Sequence, residues 1–88
     1  MEANPNNYVS LSHLALAYLQ TGDVKKAIAA LQNAIKARPT KAVLHFQLAQ
    51  TLARLNRVPE AIQSLEAGLR LAPEDTAAQR LLEQLRRP

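Results

Sequence analysis

Residues 42–73, AVLHFQLAQTLARLNRVPEAIQSLEAGLRLAP, read as two amphipathic helices joined by a tight turn at Asn56. In the second helix Ala61, Ile62, Leu65, Gly68 and Leu69 recur at three- and four-residue steps, which places them on one side of a helix. Pro59 falls in the first turn, where its missing N–H costs nothing. Asn56 suits the turn because asparagine tolerates positive φ better than any residue but glycine. Gly68 sacrifices roughly 1 kcal/mol of helix propensity relative to alanine, so it marks a close approach by a neighbouring helix.

Working outward, the preceding 34 residues carry the same pattern. Residues 8–41 laid over 42–75 pair Val9 with Val43, Leu14 with Leu48, Ala15 with Ala49, Val24 with Val58, Ala27 with Ala61, Ile28 with Ile62, Leu31 with Leu65 and Pro39 with Pro73. Most of these identities fall on the apolar stripes. Leu11, Leu14, Ala15, Tyr18 and Leu19 define the inward side of a helix from about residue 6 to residue 20, with Asn4 as its cap and Pro5 in its first turn. Gly22 closes that helix and Asp23 caps the next, whose stripe is Ala27, Ile28, Leu31, Ala34 and Ile35, ending near Ala37.

A third unit begins at Thr76. The spacing of Thr76 and Gln79 is that of a capping box, so a helix is expected over residues 76–86, with Ala78, Leu82 and Leu85 packing back on the array. Gln79, Glu83 and Arg86 then stand where the first repeat has Leu11, Ala15 and Tyr18, giving the last helix a wettable outer face. The expectation is one all-α domain over residues 1–88: repeat one over 8–41, repeat two over 42–75 and a capping helix over 76–87.

Composition narrows the function. The 88 residues, 48% apolar and dominated by Ala and Leu, suit a small helical domain that buries about 60% of its unfolded surface, too little for a deep catalytic pocket. With no cysteine there is no disulfide framework and no thiolate metal site. His13 and His45 stand at different phases of the repeat without a carboxylate at ligand spacing, so no metal is expected, and His45 reads as a partly buried packing residue. No glycine-rich phosphate loop occurs, and Glu60 and Glu66 fall on different faces of one helix. Neither catalysis nor a cofactor is expected.

The net charge of +4 is unevenly placed. Residues 8–41 hold Lys25, Lys26, Lys36, Arg38 and Lys41 against Asp23 alone, and the tail adds Arg80, Arg86 and Arg87. Only three aromatics accompany these cations, which argues for solvated helix faces over nucleic acid. The apolar runs are shorter than the ~20 residues of a membrane-spanning helix, and the first residues, MEANPNN, lack the basic start and apolar middle of a signal peptide. A cytoplasmic home is expected, with a periplasmic one open if the chain belongs to a larger exported protein.

The paired units resemble tetratricopeptide repeats. In that family a 34-residue unit places a large residue, Leu, a small residue and Tyr on its first helix, then Ala, a bulky residue, Ala and Pro on and after its second. Leu11, Leu14, Ala15, Tyr18, Ala27, Leu31, Ala34 and Pro39 meet this pattern, as do His45, Leu48, Ala49, Leu52, Ala61, Leu65, Gly68 and Pro73, with His45 and Leu52 departing from it. The resemblance covers residues 5–86 and implies a right-handed superhelical stack of antiparallel hairpins, five helices in all. Pro5 stands where a preceding repeat would place its final proline, so a longer array is expected.

The same resemblance implies that the first helix of each hairpin lines a concave groove binding a peptide or helical segment of another protein. The groove would present Val9, Ser12, His13, Leu16 and Gln20, then Val43, Phe46, Gln47, Gln50 and Arg54, then Ala77, Arg80 and Gln84. Apolar side chains are expected over Leu16 and Phe46, and an acidic group near Arg54 or Arg80. Some members hold a C-terminal carboxylate with Lys, Asn and Arg. Ser12, Leu16, Gln47, Ala77 and Leu81 occupy those places here, so that clamp is not expected. Self-association through Tyr8, Leu11, Leu16 or Leu19 is an alternative role. RNA binding is a weaker one, because the period is one residue short of RNA-reading helical repeats.

Overall fold

The helical periodicity becomes five α-helices in the computed structural model, which describes residues 8–87. They are α1 (Tyr8–Thr21), α2 (Val24–Ala37), α3 (Ala42–Arg54), α4 (Val58–Leu71) and α5 (Thr76–Arg86). No strand occurs among the described residues. The expected start of the first helix, with Asn4 and Pro5, lies outside them.

Both hairpin turns use the left-handed residue that the repeat supplies. Gly22 has a φ of 88° and Asn56 a φ of 62°. The Asp23 N–H donates to the Tyr18 carbonyl at 2.8 Å, and 34 residues later the Arg57 N–H donates to the Leu52 carbonyl at 3.0 Å. A second bond in each turn, Gly22 N–H to Leu19 O and Asn56 N–H to Ala53 O, completes a Schellman closure. The two turns are therefore equivalent in backbone as well as in sequence.

Two caps differ from expectation. Asp23 precedes α2, yet its side chain accepts no capping hydrogen bond. The hairpin closure holds its backbone at φ −86° and ψ 69°, away from the extended geometry from which a capping side chain reaches back. At α5 the cap lies one residue earlier than Thr76: Asp75 Oδ1 accepts from the Ala78 N–H at 3.0 Å. A carboxylate at a helix N-terminus also gains from the helix dipole, which a hydroxyl does not. Gln79 turns away from the cap and donates to the Pro73 carbonyl.

Packing follows the repeat. Ala15, Ala27, Ala49 and Ala61 are 0–1% exposed, and their small side chains let neighbouring helices approach closely. Leu31 and Leu65, 34 residues apart, are both fully buried between them. Each helix packs chiefly on the helix before it and the helix after it. The result is an open stack measuring 48 × 27 × 16 Å, not a closed bundle. Leu44, Ala30 and Thr51 are also buried, which the periodicity did not single out.

Leu14 departs from the expected stripe. It is 43% exposed, whereas its counterpart Leu48 is 8% exposed. α3 has α2 behind it, and no described helix stands behind α1 in the same way. Gly68 meets its expectation in a modified form, because the approaching group is a side chain. A Cβ added there would lie 2.7 Å from Phe46 Cδ1 and closer still to Cε1, so the Phe46 ring occupies the space that glycine leaves. His45 is half-buried, and its Nε2 faces the Pro39 carbonyl at 3.0 Å, tying α3 to the loop before it.

Candidate functional site

Two clefts open between the first helices of successive hairpins. The cleft between α1 and α3, of about 70 Å³, is floored by Ala15, Leu19 and Leu31 and walled by Ser12, Leu16, Gln47, Gln50, Thr51 and Arg54. The cleft between α3 and α5, of about 110 Å³, is floored by Leu65 and Ala78 and walled by Phe46, Gln50, Asp75, Ala77 and Leu81. Gln50 borders both, so the two form one surface interrupted by an amide. Hairpin stacking creates them, because alanine at the helix contacts leaves the longer flanking side chains to build walls.

The walls of the first cleft are braced. Ser12 Oγ donates to Gln47 Oε1 at 2.9 Å, a bond that spans the two repeats. Thr51 Oγ1 donates back to the Gln47 carbonyl at 2.8 Å, which satisfies a buried hydroxyl inside the helix. The Gln47 side chain is thereby held by Ser12, and Leu16, 46% exposed, lines the same cleft. Arg54 reaches the cleft from the end of α3 and, among the described residues, takes part in neither ion pair, Arg57 with Glu60 or Arg86 with Glu66. Its guanidinium is available to a carboxylate from outside the chain. In the second cleft the Asp75 carboxylate is engaged as the α5 cap.

The structure brings Ser12, Leu16, Gln47, Gln50 and Arg54 around one cleft, and Phe46, Gln50 and Ala77 around the other. Gln20 joins Leu16, Leu19 and Arg54 on a shallower surface at the end of α1. Val9, His13, Val43, Arg80 and Gln84 are exposed on their helices and line neither cleft. His13 shares its repeat position with Gln47 and Leu81, which face the preceding first helix, and no described helix precedes α1. Phe46 contributes only part of its ring to the groove, since another part rests on Gly68. The expected groove rows leave out Leu19 and Thr51, which line the first cleft, and name Leu81, which lines the second, only as a place of the carboxylate clamp. Leu19 belongs to the inward stripe of α1 and to the alternative self-association face, and a threonine in mid-helix gives no signal that its hydroxyl is turned back on its own backbone.

The sequence model of one family, described as tetratricopeptide repeat, matches residues 18–85. The chain belongs to the tetratricopeptide repeat family. Solved structures agree. The chain superposes on the crystal structure of MamA with a TM-score of 0.85 at 23% identity, over 93% of this chain and 48% of that one. A mutant of MamA superposes with a TM-score of 0.80 at 28% identity, over 92% of this chain and 59% of that one. The chain thus spans about half the length of these tetratricopeptide repeat proteins. No curated protein matches it in sequence. Tetratricopeptide repeats generally mediate protein–protein interaction, and the open stack of five helices is the framework on which they do so.

Proposed function

We propose that this tetratricopeptide repeat module binds a short segment of another protein along the α1–α3–α5 face, with no chemistry of its own. The observation that carries the reading is the pair of adjoining clefts with apolar floors, which meet at Gln50 and have an unpaired Arg54 at one side. Such a surface takes two apolar side chains of a peptide, one beside Leu16 and one beside Phe46. Gln50 offers its amide to the peptide backbone between them, and Arg54 receives a carboxylate. The bond from Ser12 Oγ to Gln47 Oε1 ties α1 to α3 across the first cleft before a ligand arrives, which lowers the ordering cost of binding.

Selection of short peptides displayed on phage tests this. The peptides enriched on the native chain are expected to carry two apolar residues with an acid near one of them. Replacing Leu16→Glu and Arg54→Glu together is expected to weaken those peptides about tenfold or more. Both side chains are exposed, so the melting temperature should barely move. Peptides that bind the native and doubly substituted chains alike would overturn the groove reading.

A further inference from the structure

Arg54 is not the only free cation on the α1–α3–α5 face. Arg54 and Arg80 are both exposed and take part in no ion pair among the described residues. Arg80 stands 34 residues after Phe46 and 68 after Ser12, each of which lines a cleft on the side of the next hairpin. It therefore belongs to the groove side of α5, beyond the second cleft, whereas Arg54 stands before that cleft. No free carboxylate answers them. α1 and α3 contain neither aspartate nor glutamate. Asp75 is engaged as the α5 cap, and Glu83 stands at the repeat position of Ala15 and Ala49, which are both buried.

The spacing of the two guanidiniums selects a conformation. Arg80 shares its level in the repeat with Phe46, and Arg54 lies eight residues further along α3, roughly 12 Å. Helices that wall one cleft of side-chain size stand about 10 Å apart. The two α-carbons are then roughly 15 Å apart, on a diagonal across the second cleft. An extended chain covers about 13 Å in four residues and turns residues i, i+2 and i+4 to one face; the reach of the arginine side chains makes up the difference. Gln50 and Gln84, at one repeat position, are exposed and their amides make no hydrogen bond among the described residues. Such amides serve an extended backbone, whose N–H and C=O groups need partners, and not a helix, which has satisfied its own.

A second copy of the chain does not supply that segment. Its longest stretches outside helices, among the described residues, are 38–41 and 72–75. Each is four residues closed into a turn, by the Lys41 N–H on the Arg38 carbonyl and the Asp75 N–H on the Ala72 carbonyl.

We infer, on the groove reading proposed above, that the ligand is an extended acidic segment of another protein with two carboxylates four positions apart and an apolar residue midway between them. The apolar side chain enters the second cleft, and one carboxylate meets each of Arg54 and Arg80.

The test uses fluorescent peptides of about ten residues, too short to hold a helix alone. The first carries glutamates four positions apart around a central leucine, with a further leucine two positions ahead of the first glutamate. In the second peptide the later glutamate is moved by one position, and in the third it is glutamine. By anisotropy the second and third are expected to bind about tenfold more weakly than the first. Arg80→Gln should weaken the first peptide about tenfold and leave the third unchanged, with no change in melting temperature because Arg80 is exposed. The α-carbon shifts of the bound first peptide should be those of an extended chain. Failure of the first peptide to bind, helical shifts in its bound state, or an Arg80→Gln chain that ranks the peptides as the native chain does would each overturn the inference. Equal binding of all three peptides, lost in Leu16→Glu/Arg54→Glu, would overturn it while leaving the groove intact. Undiminished binding to Leu16→Glu/Arg54→Glu would overturn the groove reading itself.

Discussion

Gly68→Ala and Phe46→Ala, made singly and together, test how the second hairpin is packed. The added Cβ would lie 2.7 Å from Phe46 Cδ1 and 3.1 Å from Cζ, where carbon atoms in contact prefer about 3.5–4.0 Å. The ring must therefore withdraw by roughly 1 Å. Overpacking of this kind costs about 1–3 kcal/mol, and alanine returns about 1 kcal/mol of helix propensity. The balance is a loss of about 1 kcal/mol, or about 4–8 °C in melting temperature for a domain of this size. With Phe46→Ala already in place the clash is gone, and Gly68→Ala should stabilise by about 1 kcal/mol. The sign of one substitution thus reverses with its background, a coupling of about 2 kcal/mol. Thermal and urea melts followed by circular dichroism at the helix band read all four proteins. Stabilisation by Gly68→Ala of the same size in both backgrounds would refute the seating of the Phe46 ring on Gly68, and with it the division of that ring between core and cleft.

Three further outcomes follow from particular side chains. Asn56 holds a φ of 62°, so Asn56→Gly should leave the melting temperature unchanged or raise it, while Asn56→Ala should lower stability by about 1 kcal/mol. Asp75→Ala removes the bond to the Ala78 N–H and should cost about 1 kcal/mol, seen most clearly as faster amide exchange in the first turn of α5. Leu48→Ala should cost about 2–5 kcal/mol in urea melts, whereas Leu14→Ala at the same repeat position should cost about 1 kcal/mol or less.

Much of the fold was legible because it is periodic or local. The 34-residue recurrence, the stripes around Ala27 and Ala61, and the positive-φ residues Gly22 and Asn56 each state a backbone requirement within a few neighbouring positions. The ends of α2 and α5 fell where the sequence placed them. The caps were less legible, because Asp23, Asp75 and Thr76 are all competent and the choice depends on backbone torsions set by the preceding turn. The groove was legible only as rows of repeat positions. Which members converge depends on where the adjacent helix lies: Gln47 meets Ser12 across the repeat boundary, while His13, at the same position one repeat earlier, meets nothing among the described residues.

By itself, the sequence determined that helix hairpins recur and stack through alanines, because a side chain too small to hold neighbouring helices apart states its own requirement. Only the tertiary structure decided that Leu48 is core and Leu14 is surface, that Phe46 is divided between Gly68 and the second cleft, and that Arg54 stands unpaired at the first. Burial and pairing belong to a residue together with its neighbours, and identical residues 34 positions apart have different neighbours.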